Sequence, residues 1–245
     1  MGDRRHNSRM SQASIDPRWF KVLAVSVHEF RTPLSVVSGY IRILLSARTG
    51  ELTDKQRHML QEIEKSSARL SALVAETSEL SMLEEGTAAF EMRNIDLPAL
   101  VRQAIESLPP MIDGRSVAVA HDLEPLPAFR GDPSRLSKAV ASILFALRRE
   151  MTSDGPLTVR GRRDGNGYEV RIGDGETLAA LEAEQDGERA VFDEWRHGVG
   201  MSVLIARRVI NRHGGRLFAP PEARKTGARI VFGETPQDSA PVSNS

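Results

Sequence analysis

Along residues 17–48 apolar side chains return every seven positions in two rows. Phe20, Val27, Leu34 and Ile41 form one row, and Leu23, Phe30, Val37 and Leu44 the other. Two interleaved rows at this period predict a long helix packed against other helices. Residues 47–52, which include Gly50, interrupt the pattern. Thr53 followed by Gln56 reads as a capping box that opens a second helix. In that helix Met59, Ile63, Ser66, Leu70, Leu73, Thr77 and Leu80 advance in steps of four and three, and Gly86 is a natural stop. Two long amphipathic helices joined by a short loop make a hairpin, and one hairpin cannot bury its apolar seam alone. Pairing with a second copy would complete a four-helix bundle. Packing onto the rest of the chain would also cover the seam, and the pattern leaves both open.

Beyond Gly86 the periodicity changes. Residues 89–95 read as extended and 97–108 as a helix, and 117–121 alternate like a strand. Asp132 before Pro133 reads as an N-cap with a first-turn proline, opening a helix to about residue 150. Residues 157–162 and 168–172 alternate on either side of the turn residues 164–167, the signature of a hairpin. A glycine-led helix over 198–213 and strands over 216–219 and 228–232 close the pattern. Interspersed strands and helices predict an α+β unit with helices packed on one sheet. The expected organisation is a leader at 1–16, a helical hairpin at 17–86, an α+β domain at 87–234 and a polar tail at 235–245, with leader and tail disordered.

Composition narrows the function. The 245 residues carry 33 basic and 33 acidic side chains, and this balance argues against a nucleic-acid partner. There is no cysteine, so disulfides, thiolate metal sites and cysteine nucleophiles are ruled out. No apolar run approaches the roughly 20 residues that a membrane span needs. The expectation is a cytoplasmic chain with no membrane insertion, its sensing function lying on another protein.

The most informative segment is His28-Glu29-Phe30-Arg31-Thr32-Pro33-Leu34. His28 follows a core position of the heptad and so should reach solvent. Glu29 can accept from one imidazole nitrogen, fixing the tautomer and leaving the other as a nucleophile. Thr32 lies one turn on, on the same face. Pro33 removes the donor that the Glu29 carbonyl would otherwise receive, and should bend the helix there. His58 and His121 have no partner at metal-ligand spacing, His6 falls in the leader, His197 and His213 are given no chemical role, and Trp19 and Trp195 read as packing residues.

This segment resembles the H-box of HisKA-type two-component sensor histidine kinases. Residues 80–86 look like the close of their dimerisation and phosphotransfer hairpin. Residues 131–136 are similar to the entry of their N-box helix, and 170–174 resemble the strand leading to the aspartate that reads adenine. Residues 191–196 look like the F-box, and Gly198-Val199-Gly200-Met201-Ser202 through His213-Gly214-Gly215 resembles the second glycine box and its helix. The resemblance covers roughly residues 17–233. It implies a dimeric four-helix bundle followed by an α/β sandwich of the histidine kinase/gyrase-type ATPase fold. His28 would carry phosphate, with Glu29 as base and orienter and Thr32 positioning water for dephosphorylation. Arg31 and Pro33 would support the H-box. The partners implied are a second copy, a response-regulator receiver domain and a separate sensor or kinase.

The departures fall on the nucleotide site. The two asparagines of the N-box are here Ser142 and Ala146, and alanine offers no oxygen to magnesium. Asp174 remains for adenine, but the glycines expected after it are Glu176, Thr177 and Leu178. The lid between Phe192 and Gly198 is largely deleted, and the third glycine of the second box is Ser202. Arg149, Gly198 and Gly200 could still meet a phosphate. Neither ATP nor magnesium is therefore firmly implied. Three readings follow: a kinase tolerating an unusual nucleotide site, an ATP-independent histidine phosphotransferase, or a non-catalytic module that binds response regulators or kinases. The intact H-box argues against the third, and the lost asparagines and lid argue against the first.

Overall fold

The computed structural model describes residues 18–46, 50–109, 117–126, 129–152, 155–165, 167–184, 190–193, 200–221 and 226–233. The leader and tail read from the sequence lie outside them, as do Trp195 and His197. The chain forms two compact units, one ending at Val74 and the other beginning at Ala75.

The first unit contains α1 (Arg18–Leu45) and the opening turns of α2 (Asp54–Glu85). The capping box at the start of α2 forms as the sequence predicts. Thr53 N–H donates to Gln56 Oε1 at 3.0 Å, and Gln56 N–H donates back to Thr53 Oγ1 at 3.3 Å. Of the two heptad rows, one is turned inward, with Val27 and Ile41 buried and Leu34 half-buried. The second row, Leu23, Phe30, Val37 and Leu44, is exposed, as are Met59, Ile63, Leu70 and Leu73 of α2. The hairpin interior also holds a polar pair, Ser38 Oγ and the buried Ser67 Oγ, 2.9 Å apart. In an apolar seam such a pair favours one register of the two helices over its neighbours.

The second unit takes the last turns of α2 and continues through β1 (Arg93–Ile95), α3 (Leu97–Glu106), β2 (Val119–Leu123), β3 (Phe129–Gly131) and α4 (Pro133–Glu150). It then runs through β4 (Leu157–Asp164), β5 (Gly167–Gly173), α5 (Gly175–Ala183), α6 (Ser202–Arg212), β6 (Gly215–Phe218) and β7 (Gly227–Phe232). Five strands form one sheet in the order β2-β4-β5-β7-β6, with β2 and β4 parallel and the other pairs antiparallel, and β1 pairs with β3 separately. Together with the hairpin this is the α+β architecture the pattern predicts.

The core lies between one face of the sheet and the helices α3, α4 and α6. Tyr168, Val170 and Ile172 of β5 and Ala228, Ile230 and Phe232 of β7 meet Leu136, Val140, Ile143 and Leu147 of α4 and Val203 and Ile210 of α6. The intervening residues of each strand point the other way. In register there, Arg160, Arg171 and Arg229 form one row across β4, β5 and β7, with Glu169 beside them.

The sequence pattern does not contain α5, which covers that second face. Its Leu178 and Leu181 are buried outside the main core. Thr177 is buried over Gly173 and Gly227, where a Cβ on either glycine would come within 2.7 Å of it. Arg229, 2 % exposed, bonds to the Leu181 carbonyl and pairs with Glu169 at 2.6 Å and Glu184 at 2.7 Å. Locally the unit therefore has three layers, with a buried ion-pair network beneath α5.

Candidate functional site

The H-box folds as continuous helix, and α1 runs through Pro33. A proline brings no N–H, so the Glu29 carbonyl has no donor from its usual partner four residues on. Two residues later the ladder is supplemented by Ser35 Oγ–H, which donates to the Arg31 carbonyl at 2.8 Å. His28 is on the surface, its side chain 79 % exposed, beside Glu29 at 76 %. The expected bond between them is not made: His28 Nδ1 and Glu29 Oε1 are 3.7 Å apart, within ion-pair reach and beyond a hydrogen bond. Arg31, Thr32 and Pro33 are all exposed along the same stretch.

Asp174 and Gly200, read from the sequence as parts of a nucleotide site, stand at the entries of two helices. Asp132 caps α4 as predicted, accepting from Arg135 N–H at 3.0 Å. Its second oxygen takes the Glu91 N–H at 2.9 Å. Burial alone would raise this carboxyl, and these N–H donors with the Arg135 charge outweigh it and hold the group below the usual carboxylate range. Along α4, Ser142 is half-buried and faces α6, whereas Ala146 is sealed in the core at 0 % exposure. Arg149 is exposed with its guanidinium 5.8 Å from the Phe145 ring. Asp174, expected to read adenine, caps α5 by accepting from Thr177 N–H at 2.9 Å. Gly200 makes the turn before α6 at φ +71°, a left-handed conformation that suits glycine, and Gly198 lies outside the described residues. Phe192 of the F-box resemblance is buried in the core.

The position aligned with the family's magnesium ligand therefore carries no oxygen and is sealed in the core, and one oxygen of Asp174 caps a helix. Among the described residues no cluster of His, Asp and Glu could hold a metal ion.

Instead, Ser142 and Ser202 line a cavity of about 310 Å³ between α4, α6 and the end of α2. Arg135 and Lys138 supply its cations and Glu76 and Glu79 its anions, above a floor that includes Ala139, Ile205 and Ala206. Glu79 pairs with Arg135 at 2.9 Å, and Glu76 Oε2 accepts from Met201 N–H at 3.3 Å. No motif in the sequence marks out Glu76 and Glu79. Their spacing of three on one helix face was the only available signal.

Comparison with known proteins adds the family. Residues 20–86 match the His Kinase A (phospho-acceptor) domain. Over these residues the chain is similar to the phospho-acceptor domain of histidine kinases. It is 26 % identical over 208 residues to the circadian input-output histidine kinase CikA of Synechococcus elongatus, covering 80 % of this chain and 27 % of that protein. It is 28 % identical over 215 residues to the sensor protein SphS of the same organism, covering 82 % of this chain and 50 % of that one. The chain thus spans about a quarter to a half of the length of these relatives. In fold it resembles full-length ShkA in complex with AMPPNP, with a TM-score of 0.65 and 22 % identity over 93 % of this chain and 49 % of that one. It also resembles the Acinetobacter baumannii histidine kinase AdeS, with a TM-score of 0.56 and 15 % identity over 85 % of this chain and 98 % of that one. The fold is that of histidine kinases: a helical phospho-acceptor region followed by a mixed α/β unit. Among the described residues no helix is long and apolar enough to cross a membrane.

Proposed function

We propose that this chain is a phosphorelay protein in which His28 accepts a phosphoryl group from the aspartyl phosphate of one receiver domain and returns it to the aspartate of another. On this reading the α/β unit performs no ATP-dependent step. One contrast carries it: His28 and Glu29 stand together in solvent, while Ala146, where the family's magnesium ligand would be, is an alanine sealed in the core.

The chemistry needs little from the protein beyond placement. A His28 ring nitrogen attacks phosphorus, the N–P bond forms, and the acyl P–O bond breaks as the aspartate carboxylate leaves with the electron pair. Glu29, close to Nδ1, offsets the positive charge that the ring gains, which makes Nε2 the attacking atom. Thr32, one turn along, positions water for hydrolysis of the receiver's aspartyl phosphate. Arg31 and Pro33 shape the helix surface around them. The exposed row Leu23, Phe30, Val37 and Leu44 is covered by the hairpin of a second copy, giving a homodimeric four-helix bundle.

The test offers the purified chain two donors: a receiver domain carrying labelled phosphate on its aspartate, and magnesium-ATP labelled at the γ position. Label should move from the receiver to the wild-type chain, should not move to His28→Gln, and should not come from ATP. Label arriving on His28 from ATP would overturn the ATP-independent part and leave a working kinase.

A further inference from the structure

We propose that the acidic end of α2 is an autoinhibitory contact: Glu76 and Glu79 occupy, from within the chain, the anion positions of the cavity between α4 and α6, and so shut out the phosphates of a nucleotide. The inference rests on the reading of residues 136–146 and 198–202 as former nucleotide boxes.

The cavity is where those two segments meet. Ser142 comes from the first and Ser202 from the second. Its cations, Arg135 and Lys138, lie on the same face of α4, two turns and one turn before Ser142, so that they could follow a polyphosphate along the helix. Two carboxylates already face these groups. Glu79 Oε1 accepts from Arg135 Nη1 at 2.9 Å, both side chains being largely withdrawn from solvent. Glu76 Oε2 takes the Met201 N–H at the start of α6, and the Met201 side chain itself supplies no cap. With two cations against two anions, the cavity is neutral without a ligand.

These carboxylates do not sit on a loose arm. Leu83 of α2 is buried in the core and Leu80 packs against it. Glu84 pairs with Arg208 of α6, and Arg212 Nη2 donates to the Leu83 carbonyl at 3.1 Å. Arg135 reaches past the helix to the Ala89 carbonyl at 3.1 Å. A phosphate entering the cavity would have to displace carboxylates that the fold holds in place. Ala146 removes the metal that would compensate. The two features act on different parts of the ligand: Ala146 withholds an oxygen from the metal, and the carboxylates fill the phosphate positions.

The experiment is calorimetric titration of the full chain with magnesium-ATP and, separately, magnesium pyrophosphate. Wild type, Glu76→Gln, the double variant Glu76→Gln/Glu79→Gln, and Glu84→Gln would be compared. Glutamine keeps the shape and the acceptor for Met201 N–H, so the variants should retain the fold, as circular dichroism would show. Wild type and Glu84→Gln should show no resolvable binding. The double variant should gain at least tenfold in association constant for both ligands, with Glu76→Gln between. Three results would overturn the contact: wild type binding as tightly as the double variant, a folded double variant that binds neither ligand, or an equal gain in Glu84→Gln, which would mean simple loosening of α2. Transfer from a phosphorylated receiver to His28, measured on the same samples, separates the two ideas. A wild type that accepts phosphate while the double variant gains no binding defeats only the autoinhibitory contact. A wild type that takes no phosphate from the receiver defeats the phosphorelay reading.

Discussion

His213 shows how a residue with no chemical role in the sequence becomes a structural tie. Its Nδ1–H donates to the Val209 carbonyl at 2.7 Å and its Nε2 accepts from Asp132 N–H at 2.9 Å, which fixes one neutral tautomer and joins the end of α6 to the start of α4. The Phe90 ring packs edge-on against it. Burial pushes its pKa below the ordinary imidazole value, although the Val209 bond works the other way. A histidine held neutral in the fold takes up its proton more readily when unfolded, so its stabilisation is complete above pH about 6.5. It is lost progressively as the pH falls from there through the folded value. Urea midpoints measured at pH 7.5 and 5.5 should differ, and His213→Gln should reduce the difference. His213→Ala should cost about 1–3 kcal/mol at neutral pH by leaving Asp132 N–H without its acceptor. The Asp132 cap was legible because its signal is local, a carboxylate before a proline. The tie to His213 was not, because the partners lie far apart in sequence and no pattern links them.

At the scale of elements, what could be read from the sequence was whatever repeats or has a local start signal. The heptad rows predict α1 and α2, Thr53 with Gln56 predicts the opening of α2, and alternating residues predict β4 and β5. The nine-residue helix α5 escaped because it buries only Leu178, Leu181 and Thr177, too few for a period to show. The resemblance also cast its residues as missing glycines. Its presence changes what Asp174 does. Asp174→Ala should destabilise the chain by about 0.5–2 kcal/mol through loss of the α5 cap, and should leave phosphoryl uptake from a receiver unchanged. Chemical denaturation and the transfer assay measure the two effects separately. A tighter constraint lies at Gly167, where a Cβ would come within 2.3 Å of the Phe232 carbonyl oxygen on β7. Because that neighbour is backbone, Gly167→Ala should cost about 1–3 kcal/mol in the same denaturation experiment.

At the scale of the molecule, the described residues leave an apolar surface uncovered on the hairpin. Phe30, Val37, Met59, Ile63 and Leu70 are all exposed on the hairpin. A second hairpin would remove this surface from water at roughly 25 cal/mol per Å² of apolar area. Sedimentation should therefore report a dimer, and Phe30→Glu with Val37→Glu should shift it toward monomer and lower the helical signal. The candidate residues around His28 are contiguous on one helix, so the heptad pattern alone predicts the solvent exposure that His28 has. The fate of the nucleotide site was legible only in part. Alignment shows that Ala146 lacks an oxygen, but only the packing shows that the position faces the core.

That inward orientation also sets what a substitution there would do. Asparagine at position 146 would bury an amide where the alanine is sealed from solvent, at a cost of about 1–3 kcal/mol if it found no partner. A single change to asparagine at position 146 would therefore cost stability before it could offer an oxygen to any ion.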